Sequence, residues 1–201
     1  DIILKNMERK IDMKDLEDIE QLLINVDMVN GFVKHGAMAD EYIMHIVPEH
    51  LKLMNDIVKK GEAIAIIKDT HKENCREFDR FPTHCVEGTE ESELIEELKK
   101  YENDALVYCK NSTSTMYAPR FIDDINKMNN LKEVIIIGCC TDICILNLAI
   151  PLQNYFDQED RNVKVTVLKN AVETYDAPNH NRNEYNEIAF KLMKQAGINL
   201  K

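Results

Sequence analysis

Four short apolar runs constrain this chain more than anything else in it: three stop at a charged residue and the fourth at a Gly-Cys-Cys turn. Residues 21–26 (QLLINV) stop at Asp27, 63–68 (AIAIIK) at Asp69, and 105–109 (ALVYC) at Lys110. Residues 133–137 (EVIII) lead into Gly138-Cys139-Cys140-Thr141-Asp142-Ile143-Cys144. A fifth run, 163–168 (VKVTVL), completes the set. Runs this rich in β-branched and aliphatic residues suit strands covered on both faces. Helix-length stretches lie between them: 49–60 with Gly61 as its stop, 90–100 behind Thr89 as N-cap, 142–156 and 179–196. Such alternation predicts an α/β fold of three layers, α/β/α, around a central, mostly parallel sheet of five or six strands with right-handed crossovers. The expectation is one domain over 1–201, with residues 1–20 as an N-terminal extension that is helical over 13–21.

Composition excludes several classes. A chain of 201 residues can bury one sizeable core. With 44% hydrophobic and 30% charged residues it is too apolar for disorder. A net charge of −11 speaks against a nucleic-acid surface, which needs a basic face. No run is long and apolar enough to cross a membrane. The six cysteines (75, 85, 109, 139, 140 and 144) include three within six residues, and nothing at the start reads as a signal peptide. Free thiols in a reducing, cytoplasmic setting are therefore expected, not a disulfide framework.

In open α/β sheets ligands bind at the carboxyl ends of the strands. Asp27, Asp69, Lys110 and the turn before Cys144 all fall there. Any one charged residue at a strand end means little, because loops are wet. Four strand ends converging with a cysteine mean more. Cys144 falls in the first turn of a helix, where free N–H groups and the dipole lower a thiol pKa and can hold an oxyanion. A lone cysteine there serves as well to pack the helix on the sheet. Asp69 and His71, two apart at a strand end, with His84 thirteen residues on, make a carboxylate–imidazole set suited to Zn, Fe or Mn. His35, His45, His50 and His180 lack such company and are expected on the surface.

The combined pattern resembles the isochorismatase-like cysteine hydrolases, and within them the nicotinamidase/pyrazinamidase branch. The residues that carry the resemblance are Asp27 with Phe32 five positions on, Lys110 after a strand, and Gly-x-x-Thr-Asp-x-Cys before a helix. Asp69-Thr-His71, Glu77-Phe78 and Phe81-Pro-Thr-His84-Cys-Val-Glu-Gly-Thr89 support it, and together these span roughly residues 21 to 196. The resemblance implies a catalytic triad of Asp27, Lys110 and Cys144. It implies an oxyanion hole from the backbone N–H groups of Cys140 and Cys144, beside a cis bond between Cys139 and Cys140. A vicinal disulfide there is the alternative. It implies a divalent metal, zinc first and iron or manganese next, on Asp69, His71 and His84. Glu77 stands where a further ligand falls, a position that is His in some members. Phe32, Phe81 and Tyr117 match ring-packing positions.

The activity so implied is hydrolysis of nicotinamide to nicotinate and ammonia, with pyrazinamide as an analogue and a thioester on Cys144. The partner would be that small molecule, with a homo-oligomer as a further expectation. The alternative is a metal-free member acting on another amide, a carbamoyl group or a vinyl ether. A non-catalytic domain retaining the fold would not need the triad. A zinc-storing or redox protein would be expected to carry a CxxC pair, and none is present.

Overall fold

The computed structural model describes residues 15–201. Strands β1 (Gln21–Val26), β2 (Ala63–Asp69), β3 (Leu106–Lys110), β4 (Glu133–Cys139), β5 (Lys164–Glu173) and β6 (Asn199–Leu200) form one sheet. Their order is β3-β2-β1-β4-β5-β6 and every pairing is parallel. Period-two alternation along β1 divides the core between the two faces. Leu22, Ile24 and Val26 join Val134 and Ile136 beneath α3 (Phe121–Lys127), α4 (Leu146–Gln158) and α5 (Arg182–Gln195). Leu23, Ile64 and Ile66 pack on the opposite face against Val47, Met54 and Ile57 of α2 (Val47–Lys59) and against Leu98. The fold is a three-layer α/β/α sandwich.

Strand order explains where a site can form. The chain steps outward from β1 to β3, then jumps back beside β1 with β4 and steps outward the other way. Loops leaving β1 and β4 therefore part in opposite directions and open a crevice between them. Gly138 allows the two strands to close below it. At its φ of +125°, a Cβ would meet the Val26 carbonyl oxygen at 2.1 Å.

After β4 the peptide Cys139–Cys140 is cis, as the resemblance implied. The chain then makes a π turn over Thr141–Ile145 before settling into α4. Pro151 lies inside α4 and has no N–H for the Asn147 carbonyl. The Ser114 hydroxyl donates to that carbonyl instead, at 2.7 Å.

Two predicted helices are corrected. Residues 90–100 form two 3-10 segments, Glu90–Ser92 and Glu96–Asp104, not one α-helix. The segment between them is pinned to the chain after β1. Asn30 N–H donates to Glu93 O, Ile95 N–H donates to Met28 O, and Val29 bridges Leu94. Paired backbone cannot also be helical. Within 13–21, the described part has only the turn Leu16–Asp18, and Gln21 already belongs to β1. The Glu20 carbonyl accepts from Lys132 and Glu133, which draws this stretch into the sheet. Residues 1–14 of that extension lie outside the described residues. α3 and the single turn α1 (Asn30–Val33) were not anticipated. Among the described residues no helix is long and apolar enough to cross a membrane.

Candidate active site

Strand ends deliver four charged or nucleophilic groups to the crevice. Lys110, from β3, is fully inside the protein, and three groups surround its ammonium. Asp69 Oδ1 lies at 2.6 Å, Asp27 Oδ2 at 2.9 Å and Cys144 Sγ at 3.7 Å. Asp27 adopts a left-handed φ of 53° immediately after β1, a conformation that Asp tolerates better than most residues. No hydrogen bond of good alignment reaches either of its carboxylate oxygens, although both are buried. The Asp27 carboxylate is thus sequestered beside the Cys144 thiol, with the Lys110 ammonium as its ion-pair partner.

Burial and charge set the protonation of this group. Burial, with the Asp69 charge in support and Lys110 opposing, raises the Asp27 pKa to about 6. Burial would raise Asp69 as well, but Lys110 and then hydrogen bonds from His71 and His84 hold it far below the usual carboxylate range. Burial pushes the Cys144 thiol well up, and Lys110 offsets only part of that. Sequence position alone suggested a lowered thiol pKa at a helix start. The structure reverses this, because the sulfur is buried and faces two carboxylates as well as one ammonium.

A second cluster adjoins the first through Asp69. Its other oxygen, Oδ2, lies 3.0 Å from His71 Nε2 and 3.4 Å from His84 Nε2. One donor atom from each of these three buried residues falls within 4.8 Å of the others. His84 Nδ1 is engaged by the Pro82 carbonyl at 2.7 Å and His71 Nδ1 by Cys75 Sγ at 3.3 Å. Both rings therefore turn Nε2 toward Asp69. A carboxylate and two such imidazoles fit a divalent cation. Glu77 is the neighbour of this trio: Oε2 is 3.5 Å from His71 Nε2, while Oε1 accepts from the Thr113 N–H and hydroxyl at 2.5 and 2.7 Å.

Both clusters face one pocket lined by Phe32, Met38, Asp69, Glu77, Phe81, His84, Thr113, Cys140, Ile143, Cys144 and Tyr175. Phe32 and Phe81 pack their rings near His84, at centroid distances of 5.4 and 6.4 Å. Tyr117 does not belong to this wall. It ends the short turn Thr115–Tyr117, whose buried member is Thr115, and it is 82% exposed. Tyr175 supplies the missing aromatic. Its ring is stacked at 3.8 Å on His180, which also contacts Asp142 of the nucleophile turn at 2.8 Å. His180 is thus buried, not superficial, and so is His50 beneath the sheet, while His35 and His45 are half exposed at their side chains. Sequence reasoning missed Thr113, Tyr175 and Cys75. Thr113 lies three residues beyond Lys110 and Cys75 two before Glu77, so closeness to assigned residues was the available signal. Tyr175 offered none, since it depends on β5 running to Glu173.

Comparison with known proteins agrees with this geometry. Residues 21–200 match the sequence family described as the Isochorismatase domain. The chain is 30% identical to Nicotinamidase 1 of Arabidopsis thaliana over 178 residues, covering 79% of this chain and 71% of that protein. Its fold superposes on the pyrazinamidase of Pyrococcus horikoshii, solved in complex with zinc, with a TM-score of 0.71 and 26% identity, covering 90% of this chain and 98% of the other. It also superposes on the pyrazinamidase/nicotinamidase of Streptococcus mutans UA159 with a TM-score of 0.76 and 21% identity, covering 90% of this chain and all of that one.

Proposed function

The chain belongs to the isochorismatase family, on its nicotinamidase/pyrazinamidase branch, and from that premise we propose that this amidohydrolase converts nicotinamide to nicotinate and ammonia. Pyrazinamide, of the same shape, is the analogue it would accept. The observation that carries the reading is Lys110 bridging Asp27 and Asp69, which joins a nucleophile site to a donor set for a metal across one aromatic-walled pocket. A flat ring bearing a carboxamide and a ring nitrogen asks for both halves at once.

Asp69, His71 and His84 would hold the cation, zinc before iron or manganese, with Glu77 as a fourth ligand. When bound, it supplies a Lewis-acidic anchor for the pyridine nitrogen. Phe32, Phe81 and Tyr175 enclose the ring and exclude water. Cys144 Sγ then faces the carboxamide carbon. Because burial disfavours the thiolate, the proton passes from sulfur to the ionised Asp27 carboxylate as the S–C bond forms, not before. Lys110 stabilises the sulfur as it gains charge. The backbone N–H groups of Cys140, just before the π turn, and of Cys144 within it receive the oxyanion. Asp27 returns the proton to the leaving nitrogen and ammonia departs. Water attacks the thioester, Asp27 takes its proton, and nicotinate leaves as Cys144 regains a thiol.

The test is ammonia release from nicotinamide by metal-loaded protein. Wild type should turn over, and Cys144→Ala should fall by roughly a thousandfold or more while still binding substrate. Equal rates from both would rule the reading out.

A further inference from the structure

Cys75 lies close enough to the candidate metal site to be mistaken for a ligand, yet it stands on the wrong side of His71. Its sulfur is 3.3 Å from Nδ1, whereas Nε2 is the atom that faces Asp69 and Glu77. On its far side the thiol lies 3.4 Å from the Asn111 carbonyl. We infer that Cys75 is a positioning residue for the metal site: its sulfur accepts the Nδ1–H of His71, its S–H donates to Asn111 O, and Nε2 is thereby presented as a lone pair to the cation.

The assignment follows from proton counting. A neutral imidazole that binds a cation through Nε2 carries its one proton on Nδ1, so whatever faces Nδ1 must accept. Among the described groups, Cys75 Sγ is the one within reach of Nδ1. An accepting thiol must send its own hydrogen elsewhere, and the Asn111 carbonyl is in place to take it. His84 has the same arrangement with a different acceptor, the Pro82 carbonyl at 2.7 Å. Sulfur is the weaker acceptor of the two, so His71 is the ligand whose orientation a side-chain change can loosen.

The same thiol helps bind two loops together. Asn111 follows Lys110 directly, and its side-chain oxygen accepts from the Lys72 N–H at 3.0 Å. Thr113 holds Glu77 two residues further on. The loop after β2 that carries His71, Glu77 and His84 is thus laced to the loop that follows Lys110 at the end of β3, with Cys75 among the contacts. Burial fits this role: Cys75 and His71 are both inside, away from solvent oxidants.

The inference rests on the metal half of the proposed function and not on the substrate. Zinc affinity of the metal-stripped protein is measured by competition with a chromophoric chelator for wild type, Cys75→Val and Cys75→Ser. Loss of such an outer partner typically weakens metal binding about 10–100-fold, and Cys75→Val should show that loss. Cys75→Ser keeps one acceptor and one donor and should recover most of it. Thermal melting of the metal-free forms separates a folding defect from a binding one. If Cys75→Val, folded, binds zinc as tightly as wild type, the inference is wrong. It is equally wrong if the cobalt-loaded wild type shows a sulfur-to-metal charge-transfer band that Cys75→Val lacks, since Cys75 would then be a ligand. Zinc binding by wild type without nicotinamide turnover would defeat the proposed substrate and leave the Cys75 comparison standing. Absence of zinc binding by wild type would overturn both.

Discussion

Asp27 shows how one side chain is tuned by its surroundings. A carboxylate at the usual pKa would be a poor acceptor for a buried thiol proton. Burial raises Asp27 to about 6 and narrows that gap, while Lys110 at 2.9 Å keeps the charged form accessible. The free enzyme must hold Asp27 ionised to act, so kcat/KM measured at saturating metal should fall about tenfold per pH unit on the acid side of the Asp27 titration, which burial moves above the usual carboxylate range. Asp27→Asn should lower kcat/KM by roughly 10²–10⁴-fold and abolish that limb. A profile flat down to pH 5, or an unchanged acid limb in Asp27→Asn, would remove Asp27 from the role. Asp27, Lys110, Cys144, Asp69, His71 and His84 were all legible in the sequence because each follows a strand or sits in a motif of fixed spacing. Tyr117 was misplaced for the opposite reason: a three-residue turn decides which way its ring points, and spacing from Lys110 carries no such information.

At the scale of elements, the strand ends were readable and the segments between them less so. Residues 90–100 have a helical pattern, yet backbone pairing with 28–30 holds 93–95 extended. Such pairing joins residues some sixty-five positions apart, which no local propensity reports. The β4-to-α4 connection is the element on which the site depends most, since it carries Cys139, Cys140 and Cys144 over the end of β1. Gly138 permits it, with room for no side chain between β4 and β1. Gly138→Ala should therefore force β4 away from Val26, destabilise the fold by about 2 kcal/mol or more, and displace the nucleophile turn. Urea unfolding combined with the reaction rate of Cys144 toward an alkylating agent would measure both effects. Wild-type stability and thiol reactivity in Gly138→Ala would show that the approach is looser than 2.1 Å implies.

For the whole molecule, parallel topology and layering follow from alternating strand and helix patterns, but the buried polar groups that tie the layers do not. His50, on α2, is the clearest case. It was expected on the surface, yet it is buried against the sheet, accepting from Asn25 Nδ2 of β1 at 2.8 Å and donating through Nε2 to the Ala171 carbonyl of β5 at 2.8 Å. Burial lowers its pKa to about 4, against 6.5 for the free residue. Between those values the unfolded chain binds more protons at this position, so its contribution to stability is present above pH 6.5 and lost progressively toward pH 4. The full loss is about 3 kcal/mol. Asp27 acts in the opposite sense over nearly the same window. Raised from 3.8 to about 6 on folding, it binds more protons in the folded state, and its contribution declines as pH rises from 3.8 through 6, again by about 3 kcal/mol. Asp69, depressed on folding, acts below 3.8, and His71, raised to about 9, acts above 6.5. In the metal-free protein the two central slopes should nearly cancel between pH 4 and 6, leaving stability flat there. Replacing one partner should expose the other: His50→Gln should lose stability as pH rises across that window, and Asp27→Asn should gain it. Urea unfolding of the three proteins at pH 4, 5 and 6 reads the slopes directly. Parallel curves for all three would mean that neither group changes its proton affinity on folding, and the site would then lack the raised carboxylate on which its chemistry depends.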